Sequence, residues 1–243
     1  MVQQLEGSGR GKVEAAAWDN ELKLWQLQGS LRAPAAAAAG GLSQPVALGT
    51  FKALVMADSL TGLPDSAGYV KLHGVDPTVD NAVRRIQEAV SDPVFTLMVA
   101  FDTPLAIPFD GATVRRSLDK SQCWVGITTP DYAQELLQEF PLHVQGQYNP
   151  QTKSYLEGLT TVLYQQFQRL MEPLTGQALP QPAHLHAQRW GRGFIQRPLG
   201  VPCLAAPRQR LVACGDFCLG SSVEDAWLSG RAAADEIAAA LLL

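Results

Sequence analysis

Gly215-Asp216 closes the short apolar run RLVAC (210–214), and Ser221-Ser222 opens the small-residue stretch VEDAWLSGRAAADEIAAALLL. The run predicts a strand, and a glycine directly after it lets the backbone turn tightly or approach a ligand closely. Asp216 then stands at the carboxyl end of that strand, where open α/β sheets bind their ligands. Ser221-x-x-Glu224 has the spacing of a capping box. The helix it starts would offer unpaired N–H groups and partial positive charge to a phosphate, or to an electron-rich carbonyl and ring nitrogen. The pattern is that of a strand-turn-helix ligand corner, and an ordinary strand-to-helix connection with a capping serine has the same pattern. Trp227, Gly230, Ala234, Ile237 and Leu241 recur at helical spacing and predict the face that lies against a sheet.

Other residue sets carry less chemistry. Cys214 and Cys218 lack the further paired ligands that structural zinc needs, so no metal is expected. His184 and His186 share a strand face, an arrangement more common in surface or core residues than in ligands. Ser229-Gly230 lacks the preceding glycine of a nucleophile elbow. GSGRGK (7–12) fails as a phosphate loop, because Glu6 stands where the first glycine belongs and Val13 follows Lys12 in place of Ser or Thr. It reads as a loop.

The bulk composition narrows the classes. A chain of 243 residues with 47% hydrophobic residues supports a sizeable core, and a formal charge of -4 lacks the basic excess of a nucleic-acid binder. The N-terminus has no apolar signal region, and the tail AAALLL falls far short of the roughly 20 residues that span a bilayer. These features predict a soluble, intracellular protein with no membrane partner. Four scattered cysteines predict reduced thiols.

The elements that must position the corner follow from periodicity. VEAAAWDNELKLWQLQG (13–29) predicts a hairpin about Asp19-Asn20, and residues 30–49, rich in Ala, Gly and Pro, a loop. FKALVMA (51–57) is a continuous apolar run suited to a strand buried on both faces of a parallel sheet. Val79, Val83, Ile86 and Val90 predict an amphipathic helix. VFTLMVAF, GATVRR and CWVGITT predict an antiparallel sheet, and HLHAQRW a further strand. Leu156, Leu159, Leu163, Phe167 and Leu170 form the apolar stripe of a long helix over about 154–171.

ACGDFC followed by VEDAWLSGRAAA resembles the C-terminal signature of renalase-like flavin-dependent oxidoreductases of the amine-oxidase group. Upstream, HAQRWG is similar to the group's His-Arg-Trp segment, WVGITTPDYA to its sheet-to-helix transition, and VFTLMVAFDTPL to the strand before it. The resemblance implies a mixed α/β fold. An incomplete Rossmann-like FAD-binding domain (1–58 and 207–243) would be interrupted by an antiparallel-sheet substrate domain (59–206). It implies FAD as cofactor and a small-molecule substrate, a reduced nicotinamide-type compound or an amine. Gly215, Asp216 and Phe217 would meet the ribityl chain, and the backbone of Val223, Glu224, Asp225 and Ala226 the flavin's N1 and C2-carbonyl edge. Val13 would hold the adenine through its backbone, and Arg189 and Trp190 would line the substrate side.

Three departures qualify the resemblance. A strand feeding G-x-G-x-x-G and a helix is expected in such an enzyme, and this sequence does not contain that unit. Its absence predicts a fragment of a longer flavoprotein, or a chain completed by an N-terminal partner segment. FKALVMA and RLVAC would then lack a neighbouring strand and expose apolar edges. Asp225 replaces a glycine at the flavin edge, facing either water or the ring. Gln188 replaces the histidine of His-Arg-Trp, with His186 two positions earlier. The reading from another class is a flavin-free, non-catalytic binding or scaffold module derived from such an enzyme.

Overall fold

A computed structural model describes residues 11–31, 46–62, 69–107, 115–116 and 121–242. The fold is mixed α/β, with parallel and antiparallel strands and helices distributed over two compact units: Met1–Val90 with Ile195–Leu243, and Ser91–Phe194. Among the described residues no helix is long and apolar enough to cross a membrane.

The first unit starts with an antiparallel hairpin of β1 (Gly11–Asp19) and β2 (Leu24–Leu31). Asp19 makes its turn by accepting the N–H groups of Glu21 (3.0 Å) and Leu22 (2.9 Å) on Oδ1, the local bonding that favours aspartate in turns. Trp18 and Trp25 face each other across the pair, ring centroids 5.4 Å apart. β3 (Val46–Phe51) extends the sheet beside β2, and β5 (Lys71–His73) joins β1 in parallel. Sequence reading placed most of β3 in the loop over 30–49 and assigned no element to β5. A Gly-punctuated strand and a three-residue strand have too little alternation to register.

FKALVMA accordingly divides. Phe51 ends β3 opposite Trp25, and Leu54–Met56 forms β4. β4 runs parallel to β13 (Leu211–Ala213), with Leu211, Val212 and Ala213 opposite Leu54, Val55 and Met56. β12 (Leu204–Ala206) covers the other edge of β13, antiparallel. RLVAC and FKALVMA are therefore each other's neighbours, while β4 remains an edge strand among the described residues. β13 is buried throughout, whereas Val55 on the outer strand is 49% exposed, so burial on both faces does not hold for β4.

Helix α1 (Pro77–Ile86) is capped by Asp76, which accepts the Thr78 N–H at 2.8 Å, and buries Val79, Ala82 and Ile86. It stops before Val90, which opens the next strand. Gln209, 5% exposed, ties the α1 approach to the β12–β13 connection: its side chain accepts the Asp76 N–H (2.8 Å) and donates to the Gly74 carbonyl (2.8 Å). Its own carbonyl accepts the Trp25 indole N–H at 2.7 Å.

In the second unit the sheet order is β11-β6-β8-β7, from β6 (Val90–Phe101), β7 (Arg115–Arg116), β8 (Gln122–Ile127) and β11 (His184–Arg197), and β9 (His143–Val144) and β10 (Gln147–Tyr148) pair antiparallel by themselves. β6, β8 and β7 are antiparallel neighbours, as the sequence predicts, with residues 111–114 of GATVRR outside the described residues. Phe95, Leu97, Val99, Phe101 and Trp124 alternate onto one face. There α2 (Pro130–Glu139) and α3 (Lys153–Thr175) bury Ala133, Leu136, Leu159 and Leu163 against them. The stripe of α3 ends on Met171, not Leu170, which is 61% exposed. Steps of four from Leu159 keep the buried line at 163, 167 and 171.

Candidate functional site

β13 delivers the chain to Gly215, whose φ of 150° suits glycine, and a β-carbon there would lie 2.9 Å from the Phe217 ring. The Gly215 N–H donates to Ser229 Oγ at 3.0 Å, and the Cys214 N–H to the Met56 carbonyl at 3.0 Å, so both the following helix and the parallel neighbour hold the turn. Asp216 starts the four-residue helix α4 (Asp216–Leu219) and accepts the Phe217 N–H on Oδ1 at 2.8 Å. Phe217 is fully buried, and its carbonyl accepts the Leu199 N–H.

Helix α5 (Val223–Leu241) begins one residue later than the predicted capping box requires. Ser222 is the N-cap and Asp225 its reciprocal partner: Asp225 N–H donates to Ser222 Oγ (2.9 Å), and Asp225 Oδ2 accepts from Ser222 Oγ (2.6 Å) and Ser222 N–H (3.3 Å). Ser221 is engaged elsewhere, donating its hydroxyl to the Ile195 carbonyl at 2.6 Å. Glu224 is thereby left exposed instead of closing a box. Asp225 turns back over Gly220, where a β-carbon would meet its Oδ2 at 2.6 Å. A capping carboxylate explains an aspartate at this position. Val223 and Glu224 sit in the first helical turn, where N–H groups have no intrahelical acceptor, and Val223 is 88% exposed.

The buried face of α5 also differs from expectation. Ser229, Ala233 and Ala240 are buried, while Trp227 is 59% exposed, Ala234 and Leu241 are exposed, and a β-carbon at Gly230 would touch nothing within 4 Å. Arg231 stacks over the outward Trp227 ring at 5.0 Å.

Val13 lies half-buried in β1 beside a register irregularity between Val13 and Ala15, in a different sheet from β13. Residues 7–10 of GSGRGK fall outside the described residues, and Gly11 and Lys12 belong to β1. Arg189 and Trp190 are consecutive on β11 and therefore face opposite sides of it. Arg189 is 2% exposed and points into its own unit. It donates to the carbonyls of Pro141 and Asn149 and, at 2.8 Å, to Tyr155 Oη, and it lies 4.9 Å over the Tyr155 ring. Trp190 is 52% exposed, with its indole N–H on Thr96 Oγ1 at 3.2 Å. Sequence reading missed Gln151, whose side-chain amide pairs with both backbone groups of Arg189 (2.7 and 3.0 Å), as a neighbouring strand would. It also gave Ser229 no role, although a serine on an otherwise alanine-lined helix face signals a hydrogen bond.

Burial raises the thiols of Cys203, to about 11, and of Cys214 and Cys218, so all three are protonated at neutral pH. Among the described residues no group of three or more His, Cys, Asp or Glu side chains could hold a metal ion. No family model matches the chain.

Proposed function

We propose that this chain carries the flavin-ring end of an FAD site in a renalase-like oxidoreductase that oxidises a reduced nicotinamide-type or amine substrate. In this reading β4 and β13 belong to an incomplete Rossmann-like domain, and the β11-β6-β8-β7 sheet to a substrate domain. The observation that carries the reading is the corner itself: a parallel strand ending at Ala213, then Gly215 and Asp216, and the N-terminus of a 19-residue helix that starts at Val223. The donor set fits one end of the cofactor. Asp216 uses Oδ1 internally, and its Oδ2 would accept a ribityl hydroxyl, while the Val223 and Glu224 N–H groups would meet an electron-rich ring edge. Asp225 is bonded to the cap residue Ser222, so its carboxylate is turned toward the cap and does not stand free in the first turn.

Bound FAD would supply the hydride acceptor and pass the electrons to oxygen or another acceptor. The chain's own part is to orient the cofactor's ribityl and ring edge and to place positive helix-end potential beside them. A second reading, a flavin-free binding module derived from such an enzyme, is favoured by Arg189, whose guanidinium is engaged inside its own unit and not presented to a substrate.

The test is to purify the chain with excess FAD, remove free cofactor and record the visible spectrum. Retained flavin absorbance, bleached anaerobically by a reduced nicotinamide or an amine and diminished in Asp216→Ala, is the expected result. A colourless protein leaves two readings: the binding module, or a flavin site that this chain alone does not complete.

A further inference from the structure

A cleft of about 250 Å³ opens in the second unit between the sheet and helices α2 and α3. Phe95, Leu97 and Gly126 contribute from β6 and β8, and Leu163 and Phe167 from α3. The cleft is open to solvent, and Ile127 and Leu170 among its lining residues are 54% and 61% exposed. It stays open here partly because Gly126 has no side chain: a β-carbon there would meet the Leu97 β-carbon at 3.9 Å and nothing closer. None of the lining residues is charged.

The polar groups at the cleft divide into engaged and free. Thr128 Oγ1 accepts the Phe95 N–H at 3.0 Å, and Thr129 Oγ1 caps α2. The Tyr132 hydroxyl and the Gln166 side-chain amide, both at the cleft on half-buried residues, have no hydrogen-bond partner among the described residues and are open to solvent or to a ligand. Phe167 also stands edge-on to Trp124, ring centroids 6.3 Å apart, and the buried Trp124 indole N–H lacks an acceptor among the described residues. An apolar cavity of about 150 Å³ holds one benzene ring. The present volume therefore suits a fused pair of rings, and two free polar groups suit one polar substituent.

We propose that this cleft is a binding site for a small neutral aromatic molecule of about two rings carrying one hydroxyl-type substituent. The ring system lies against Phe95, Leu97 and Phe167, and the substituent is held by Tyr132 and Gln166. The site draws no residue from the Gly215–Ala226 corner.

Equilibrium dialysis of the cofactor-free full chain against 2-naphthol, and separately against naphthalene, tests this independently of FAD. Saturable one-to-one binding of 2-naphthol is expected with a dissociation constant on the order of 0.1–1 mM. Gly126→Leu, which fills the floor, abolishes binding of both probes without lowering the thermal midpoint. Tyr132→Phe and Gln166→Leu each weaken 2-naphthol about 5-fold, the worth of one hydrogen bond, and leave naphthalene unchanged. The proposal is overturned by no saturable binding up to the solubility limit, or by full binding in Gly126→Leu. Self-association of the chain that Gly126→Leu relieves would overturn it in favour of a second copy as occupant.

Discussion

Replacing Arg189 separates a structural guanidinium from one that meets a substrate. Its side chain makes three charge-assisted hydrogen bonds inside the unit, and no carboxylate pairs with it among the described residues. Each such bond contributes about 1.5–3 kcal/mol, against a desolvation penalty of several kcal/mol for burying the cation. In Arg189→Met the penalty disappears with the charge. The Pro141 carbonyl keeps the Asn149 side-chain N–H (3.0 Å), and Tyr155 still donates to the Phe140 carbonyl (3.0 Å). The Asn149 carbonyl is left without its guanidinium donor. The balance is a net loss of about 2–4 kcal/mol, which at ordinary urea sensitivities moves the unfolding midpoint down by about 1–2 M. Arg189→Lys restores charge without the planar fork and recovers little of the loss. Hydrogen exchange followed by mass spectrometry localises the effect: protection falls over 140–155 and along β11, and is unchanged over Leu211–Ala213. A methionine variant within about 0.5 kcal/mol of the parent, the usual range for uneventful surface changes, would refute the reasoning and return Arg189 to the substrate side.

Two further outcomes follow from buried groups. Gln209→Ala removes the side chain that satisfies the Asp76 N–H and the Gly74 carbonyl, and chemical denaturation should register a loss of about 2–4 kcal/mol; unchanged stability would mean that the β12–β13 connection does not depend on this bridge. The Cys203 thiol, held at about 11 chiefly by burial, contributes stability that is complete below the ordinary thiol range of about 8.5 and is lost as pH rises through about 11. Alkylation at pH 8 should therefore modify the exposed Cys123 first and spare Cys203, Cys214 and Cys218 until the chain unfolds, whereas equal labelling of all four would contradict the burial.

Elements with strong local signals were legible in the sequence. VFTLMVAF alternates and became β6, Asp19 shaped its own turn, and the order of strand, Gly-Asp and helix at the C-terminus follows from adjacent residues. Between Ser221 and Ser222 the sequence had no basis for choice, because both are serines before an acidic helix start; the Ile195 carbonyl, 26 positions away, took Ser221 and left Ser222 to cap. The rotation of α5 was undecidable for a similar reason. Alanine occurs on every side of the helix, so no face dominates by hydrophobicity, and a long-range bond from Gly215 to Ser229 helps set which side turns inward. Residue order put Arg189 and Trp190 on opposite faces of one strand, but the interior side was fixed by Pro141, Asn149 and Tyr155, which folding brings from 34 to 48 positions away. Periodicity thus set the elements, while the facing of single polar side chains was decided by distant partners, because a buried donor or acceptor goes where the fold supplies its complement.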